Sequence, residues 1–236
     1  EGGCAVVLKR LTDAERDQDQ IYAVIRGITS NHNGTSLTVV SPNIQAQSKL
    51  YQQAYRHIPA GQLTYVESSA NGSKLSDLAE YRALDALAKT SQLEQQLKVG
   101  TSKGHFGNLE AASGMLSLVK TALITKARKI PAQDIPEPIV TETSQLSVNF
   151  DSAELPESLN WLLGVNSFGL GGANSHITLS HGPKIETGNC QQSPTSGVLL
   201  LSANSVDELR KLCQQFIIKL DQIIEFNSDL VDQLSK

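Results

Sequence analysis

Three short segments hold most of the side chains that could do chemistry. They run from Glu67 to Ser73, from Lys103 to Glu110, and from Asn166 to His176. Each is polar, rich in small residues, and placed after an apolar run. In α/β proteins such loops at strand ends carry ligands and reacting groups. Lys103 and Glu110 put a cation and a carboxylate at the entrance of a helical run. They read either as an ion pair at a helix start or as charged support for a site. Ser69 offers a neutral hydroxyl donor, and the Asn108 amide donates a hydrogen bond but shuttles no proton. Among the imidazoles, His176 reads as a packing and hydrogen-bonding residue where a loop meets a strand. His32 and His57 read as solvent-facing. Cys4, Cys190 and Cys213 are scattered. They form no metal-ligand spacing and no disulfide framework, so plain thiols are expected. No metal site and no bound cofactor are expected.

Alternating elements must position these loops. Residues 4–9 read as a short buried strand and 21–28 as a second, with a turn at Asn31-His32-Asn33-Gly34. Pro42-Asn43 opens a helix to about His57, with Asn43 as its cap. Residues 63–67 read as a strand. Residues 75–89 read as a helix whose stripe is Leu75, Leu78, Ala79, Leu84, Leu87 and Ala88. Another strand covers 97–101, and a long apolar helix covers 109–126. Its first turns carry Ala111, Ala112, Ser113 and Gly114, small enough for another backbone to approach. Residues 130–138 form a proline-rich extended crossing. Strands at 161–167 and 175–179 flank the tight loop from Phe168 to Asn174. The alternation predicts an α/β fold with a mixed, mainly parallel sheet and layered helices. Residues 183–196 read as a linker. A strand at 198–202 and an amphipathic helix at 206–226, with Leu209, Leu212, Phe216, Ile217 and Leu220 on one face, form a short tail.

The composition is that of an ordinary globular chain: 236 residues, 39% hydrophobic and 19% charged. A net charge of −4 provides no basic footprint for nucleic acid. No apolar run is long enough to span a bilayer, and no signal peptide is evident. A reducing, cytoplasmic setting is expected. Glu1-Gly2-Gly3-Cys4 runs directly into apolar residues without an initiator methionine, which reads as a cut inside a larger domain.

The segment Gly164-Val165-Asn166-Ser167-Phe168-Gly169-Leu170-Gly171-Gly172-Ala173-Asn174-Ser175-His176 resembles the closing active-site loop of β-ketoacyl synthases. The stretch from Ile21 through Asn31, Gly34 and Pro42-Asn43 resembles the start of that family's second thiolase half. The resemblance covers residues 1–182, a C-terminal thiolase-like half. Leu199 to Ser205 with the helix after it (197–236) resembles the linker that follows ketosynthases in multidomain synthases.

The resemblance implies a cysteine nucleophile upstream, two histidines that assist decarboxylation of a malonyl thioester, and a supporting lysine and glutamate. Here the first histidine, in V-E-x-H-G-T-G-T, is replaced by Ser69. The second, in K-S-N-x-G-H-L-E-A-A, is replaced by Asn108. Lys103 and Glu110 are retained, and Leu170 replaces a gating phenylalanine. His105 sits one turn too early to substitute. The resemblance then implies an acyl and pantetheine pocket at Asn71, Ser73, Phe168, Gly169, Leu170, Gly171 and Gly172. It implies an acyl substrate carried on the phosphopantetheine of an acyl carrier protein. Expected partners are the N-terminal half of the same domain, and an active ketosynthase or a second copy. The expected role is that of a degenerate chain-length-factor-type partner in polyunsaturated fatty acid or polyketide synthesis. The alternative is a non-elongating, acyl-transferring ketosynthase.

Overall fold

The computed structural model describes residues 2–35, 38, 40–91, 93, 95–135, 139, 144–156, 160–183, 201, 203 and 205–221, with side chains described up to Gln215. The chain divides into two units, Glu1–Ile185 and Glu186–Lys236. The first holds helices α1 (Leu11–Arg16), α2 (Ile44–Ala54), α3 (Lys74–Thr90), α4 (Lys103–Phe106) and α5 (Ser113–Ala127). Its strands are β1 (Val24–His32), β2 (Leu63–Glu67), β3 (Leu97–Gly100), β4 (Lys129–Ile130), β5 (Leu146–Val148), β6 (Ala153–Glu154), β7 (Leu162–Phe168) and β8 (Ala173–Ser180). The second unit shows one described helix, α6 (Val206–Asp221). The proposed linker and the strand at 198–202 lie largely outside the described residues.

Six strands form one sheet in the order β1-β8-β7-β2-β3-β5. The β7–β2, β2–β3 and β3–β5 pairings are parallel. The β1–β8 and β8–β7 pairings are antiparallel, because the short Phe168–Ala173 loop reverses the chain. The sheet is therefore mixed and mainly parallel, as the alternation implied. Its central strands β2 and β7 are buried on both faces. On one side Tyr51, Leu63, Val66, Ala83, Leu84, Leu97 and Leu162 pack together. On the other, Tyr65, Leu118, Ile124, Trp161, Leu163, Val165 and Leu179 do so. Along β2 the side chains of Tyr65 and Val66 fall to opposite faces, which is the strand period of two, and a register shift between Leu63 and Tyr65 places Leu63 on the Val66 face. Burial on both faces requires near-continuous apolar strands, and β7 supplies one.

Asn43 caps α2 through its Oδ1, which accepts from the Gln45 and Ala46 amides at 3.0 and 3.1 Å. Its Nδ2 also donates to the Asn33 carbonyl at 2.9 Å. Asn43→Ala is expected to cost about 1–2 kcal/mol of unfolding free energy, at the upper end for a cap because the strap to Asn33 goes with it. Urea denaturation of the full-length protein against the variant reads this directly.

Five segments differ from their sequence expectation. Residues 4–9 form no strand, and Val7 and Leu8 are 97% and 69% exposed. A strand needs a neighbour for its amides, and none of the described strands pairs with this segment. It instead edges an open apolar groove of about 1000 Å³, lined also by Leu11, Tyr22, Leu118 and Leu123. The helix expected from residue 109 starts at Ser113, because Asn108 turns the chain just before it. Leu75 stands on the first turn of α3 and is exposed, whereas Glu80 is on the buried face. β5 and β6, of three and two residues, carry too little pattern to be read.

Candidate functional site

The loops after β2 and β3 and the β7–β8 loop meet at one edge of the sheet. The β2–α3 loop is held by two carboxylates on α3. Glu80 Oε1 accepts from the Ser69 amide at 2.9 Å and Oε2 from the Ala70 amide at 3.0 Å. Asp77 accepts from the Asn71 and Gly72 amides at 2.9 and 3.0 Å. Burial raises both carboxyl pKa values, against the lowering effect of those amides. Ala70, at φ +30°, takes a left-handed backbone, a strain that four amide bonds offset.

Glu80 also reaches the neighbouring strand. Its Oε1 accepts from Asn166 Nδ2 at 2.8 Å, and the same amide donates to the Tyr51 hydroxyl at 2.9 Å. Asn166 Oδ1 must then face His176, whose Nδ1 lies 2.6 Å away and donates to it. His176 Nε2 accepts from the Tyr55 hydroxyl at 2.9 Å. His176 is fully buried, and burial pushes its pKa down to about 3. Gly164 leaves room for this ring: a Cβ there would lie 2.8 Å from His176 Cε1. The imidazole is thus a neutral link, as a packing and hydrogen-bonding role requires.

The β7–β8 loop is strapped to the end of β1. Asn174 Nδ2 donates to Asn31 and Asn33 at 3.0 and 2.8 Å, and the Asn33 amide donates to the Gly172 carbonyl at 2.8 Å. His32 Nδ1 accepts from the Gly34 amide at 3.0 Å, so its Nε2 carries the proton and donates to the Gly171 carbonyl at 2.8 Å. His32 is exposed, as its sequence context suggested, while its two ring nitrogens brace this loop. His57 is exposed, as expected.

Lys103 bridges loops. Its Nζ donates to Asn71 Oδ1 at 2.7 Å and to the Ser69 carbonyl. Half-buried, it has a pKa lowered by desolvation, which the nearby carboxylates partly oppose. It makes no ion pair with Glu110, so that reading is corrected. Glu110 is exposed, at φ +50°. Asn108 is also exposed. Its Oδ1 accepts from the Glu110 amide at 3.0 Å and from Ser113 Oγ at 2.9 Å, which ties the turn ahead of α5.

Ser69 is buried, and its Oγ accepts from the Phe168 amide at 3.3 Å. It lines a pocket of about 40 Å³ with Gln47, Asn71, Asp77, Glu80 and Phe168, under a rim that includes Val40 and Leu170. Ser69, Asn71, Phe168, Gly169 and Leu170 are therefore brought together. Ser73, Gly171 and Gly172 lie outside the pocket lining, Ser73 as the exposed residue before α3. No imidazole lines it among the described residues. Sequence reading missed Gln47, Asp77 and Glu80. A charged residue interrupting the apolar stripe of α3 was the available signal for Glu80.

Residues 22–134 match the model of the β-ketoacyl synthase C-terminal domain, and residues 131–235 match its C-terminal extension. The chain belongs to the β-ketoacyl synthase family. This ketosynthase domain is 38% identical over 200 residues to the highly reducing polyketide synthase azaB of Aspergillus niger, covering 80% of the chain and 8% of that protein. It superposes on the ketosynthase from module 6 of the bacillaene synthase of Bacillus subtilis with a TM-score of 0.74 at 25% identity. That match covers 93% of the chain and 39% of that structure. It superposes on the PfaC keto synthase–chain length factor with a TM-score of 0.67 at 28% identity, over 73% of the chain and 19% of that structure. The chain thus spans less than half of each of these relatives. Among the described residues, no helix is long and apolar enough to cross a membrane.

Proposed function

We propose that this ketosynthase domain is condensation-incompetent and acts as a chain-length-factor-type partner. It would shape the acyl pocket of an active ketosynthase that takes its substrate from an acyl carrier protein. The observation that carries the reading is the chemistry at Ser69 and Asn108. A hydroxyl already engaged by a backbone amide stands at one expected histidine position. An exposed amide consumed in a turn stands at the other. Neither accepts a proton near neutral pH. Losing a single donor to a developing oxyanion costs about 100-fold to 1000-fold in rate. Losing both imidazoles leaves Lys103, whose ammonium already holds the Ser69 carbonyl and Asn71, and the Asp77 and Glu80 carboxylates, whose oxygens already accept from backbone amides. The apolar groove beside residues 4–11 fits an N-terminal half packed on this one.

A second reading, acyl transfer without elongation, draws support from the fuller match to a polyketide ketosynthase than to the keto synthase–chain length factor. One experiment separates them. The full-length protein is incubated with a radiolabelled acyl thioester, and then with malonyl carrier protein. The partner reading expects no stable cysteine-dependent label and no carbon dioxide release. Stable labelling without release supports transfer. Carbon dioxide release with a lengthened product refutes both.

A further inference from the structure

The Gln47 side chain carries a polar atom that nothing described above uses. It sits on the first turn of α2 and is only 2% exposed, yet its Oε1 has no hydrogen-bond partner among the described residues. Gln47 lines the pocket beneath Phe168, with Ser69, Asp77 and Glu80 around it. A buried acceptor left without a donor is unfavourable, and proteins keep few such groups.

The other pocket walls cannot satisfy it. Both oxygens of Asp77 and of Glu80 are acceptors already facing backbone amides. Asn174 spends its Nδ2 on Asn31 and Asn33. Lys103, the nearby cation, is turned to Ser69 and Asn71. The hydroxyls of Ser69 and Ser76 also line the pocket, but neither reaches Gln47 Oε1, which stays without a donor. A ligand that complements it brings a donor. Lys103 beside the two carboxylates offsets their attraction for an added positive charge, so a neutral donor fits better than an ammonium.

Size narrows the choice further. About 40 Å³ admits a water-sized group and no alkyl chain. Above it, Val40 and Leu170 are 61% and 75% exposed and form an apolar lip. A polar floor one group deep below an apolar rim suits an aliphatic chain bearing a single hydroxyl.

We infer that Gln47 is the floor of a subsite for a hydroxyl group, and that the site selects hydroxyacyl over saturated acyl chains. This rests on the acyl-pocket reading proposed above. The hydroxyl would donate to Gln47 Oε1 while its chain lies across Leu170 and Val40.

The test is calorimetric titration of the full-length protein with 3-hydroxyoctanoyl and octanoyl N-acetylcysteamine thioesters. One neutral hydrogen bond to a buried acceptor gives about a 3-fold to 10-fold preference for the hydroxyacyl probe. Gln47→Met, which keeps length and removes the acceptor, is expected to abolish that preference. Equal binding of the two probes to the unsubstituted protein overturns the subsite and leaves the acyl-pocket reading standing. Binding of neither probe overturns both. The unsubstituted protein alone decides between these outcomes, so an unstable Gln47 variant does not void the test.

Discussion

Glu80→Leu is expected to destabilise the full-length domain by about 3 kcal/mol or more and to release the β2–α3 loop. The substitution removes the acceptor for the Ser69 and Ala70 amides and for Asn166 Nδ2. Each buried donor left without a partner costs about 1–3 kcal/mol. Two effects act in opposite directions. Ionised Glu80 is itself penalised by burial, as its raised pKa shows, and leucine removes that penalty. Leucine also adds apolar burial on the stripe of Ala79, Ala83 and Leu84. Removal of one member of a buried polar network nevertheless exceeds such gains, because the partners stay buried and unpaired. Ala70, already at positive φ, then loses the bond that holds it there. Glu80→Gln should fall between, since its amide presents a donor to at least one donor. Urea denaturation measures the stability, and amide hydrogen exchange across residues 67–73 reports the loop. Unchanged protection of those amides in Glu80→Leu would refute the anchoring role.

The contrast between what the sequence displayed and what it concealed has a physical basis. Loops punctuated by glycine and asparagine after apolar strands were legible, because such backbone can only turn. The β2 strand, at 63–67, and the Asn43 cap were legible for the same reason: local chemistry alone dictates them. Glu80 was not, because an acidic residue on a helix ordinarily reads as solvent-facing. The Ser69 and Ala70 amides, together with Asn166 of the packed β7 strand, make its burial tolerable. Asn108 shows the converse. Its position in the motif suggested a side chain directed at the pocket. The left-handed Glu110 and the Ser113 hydroxyl instead recruit it as a local turn brace. Gly114 lets α5 approach β7 closely, since a Cβ there would lie 2.7 Å from Ser167 Oγ. Residues 4–9 looked like a strand because periodicity reports side chains. Pairing depends on a neighbour, which composition does not reveal.

His176 is expected to make the domain acid-labile, with a sign and window that follow from its burial. An unfolded histidine titrates near 6.5, whereas folded His176 holds no second proton until about pH 3. Between those values the unfolded chain binds more protons than the folded one, so stability falls as pH falls. The slope from one such group is about 1.4 kcal/mol per pH unit, on the order of 5 kcal/mol over the window. Above pH 6.5 the full stability is present. Glu80 works the other way. Its raised folded pKa makes the ionised form a burden that acidification relieves, so the total curve is shallower than His176 alone would give. The difference between the protein and His176→Asn isolates the imidazole. Asparagine keeps a donor toward Asn166 and cannot titrate. Unfolding free energies measured by urea at half-unit steps from pH 7.5 to pH 4 should show the variant losing less stability than the parent at each step below 6.5, whatever its absolute stability. Parallel curves would mean that His176 takes up its second proton as readily in the fold as in the unfolded chain, so that its Nε2 is not held as an acceptor for the Tyr55 hydroxyl.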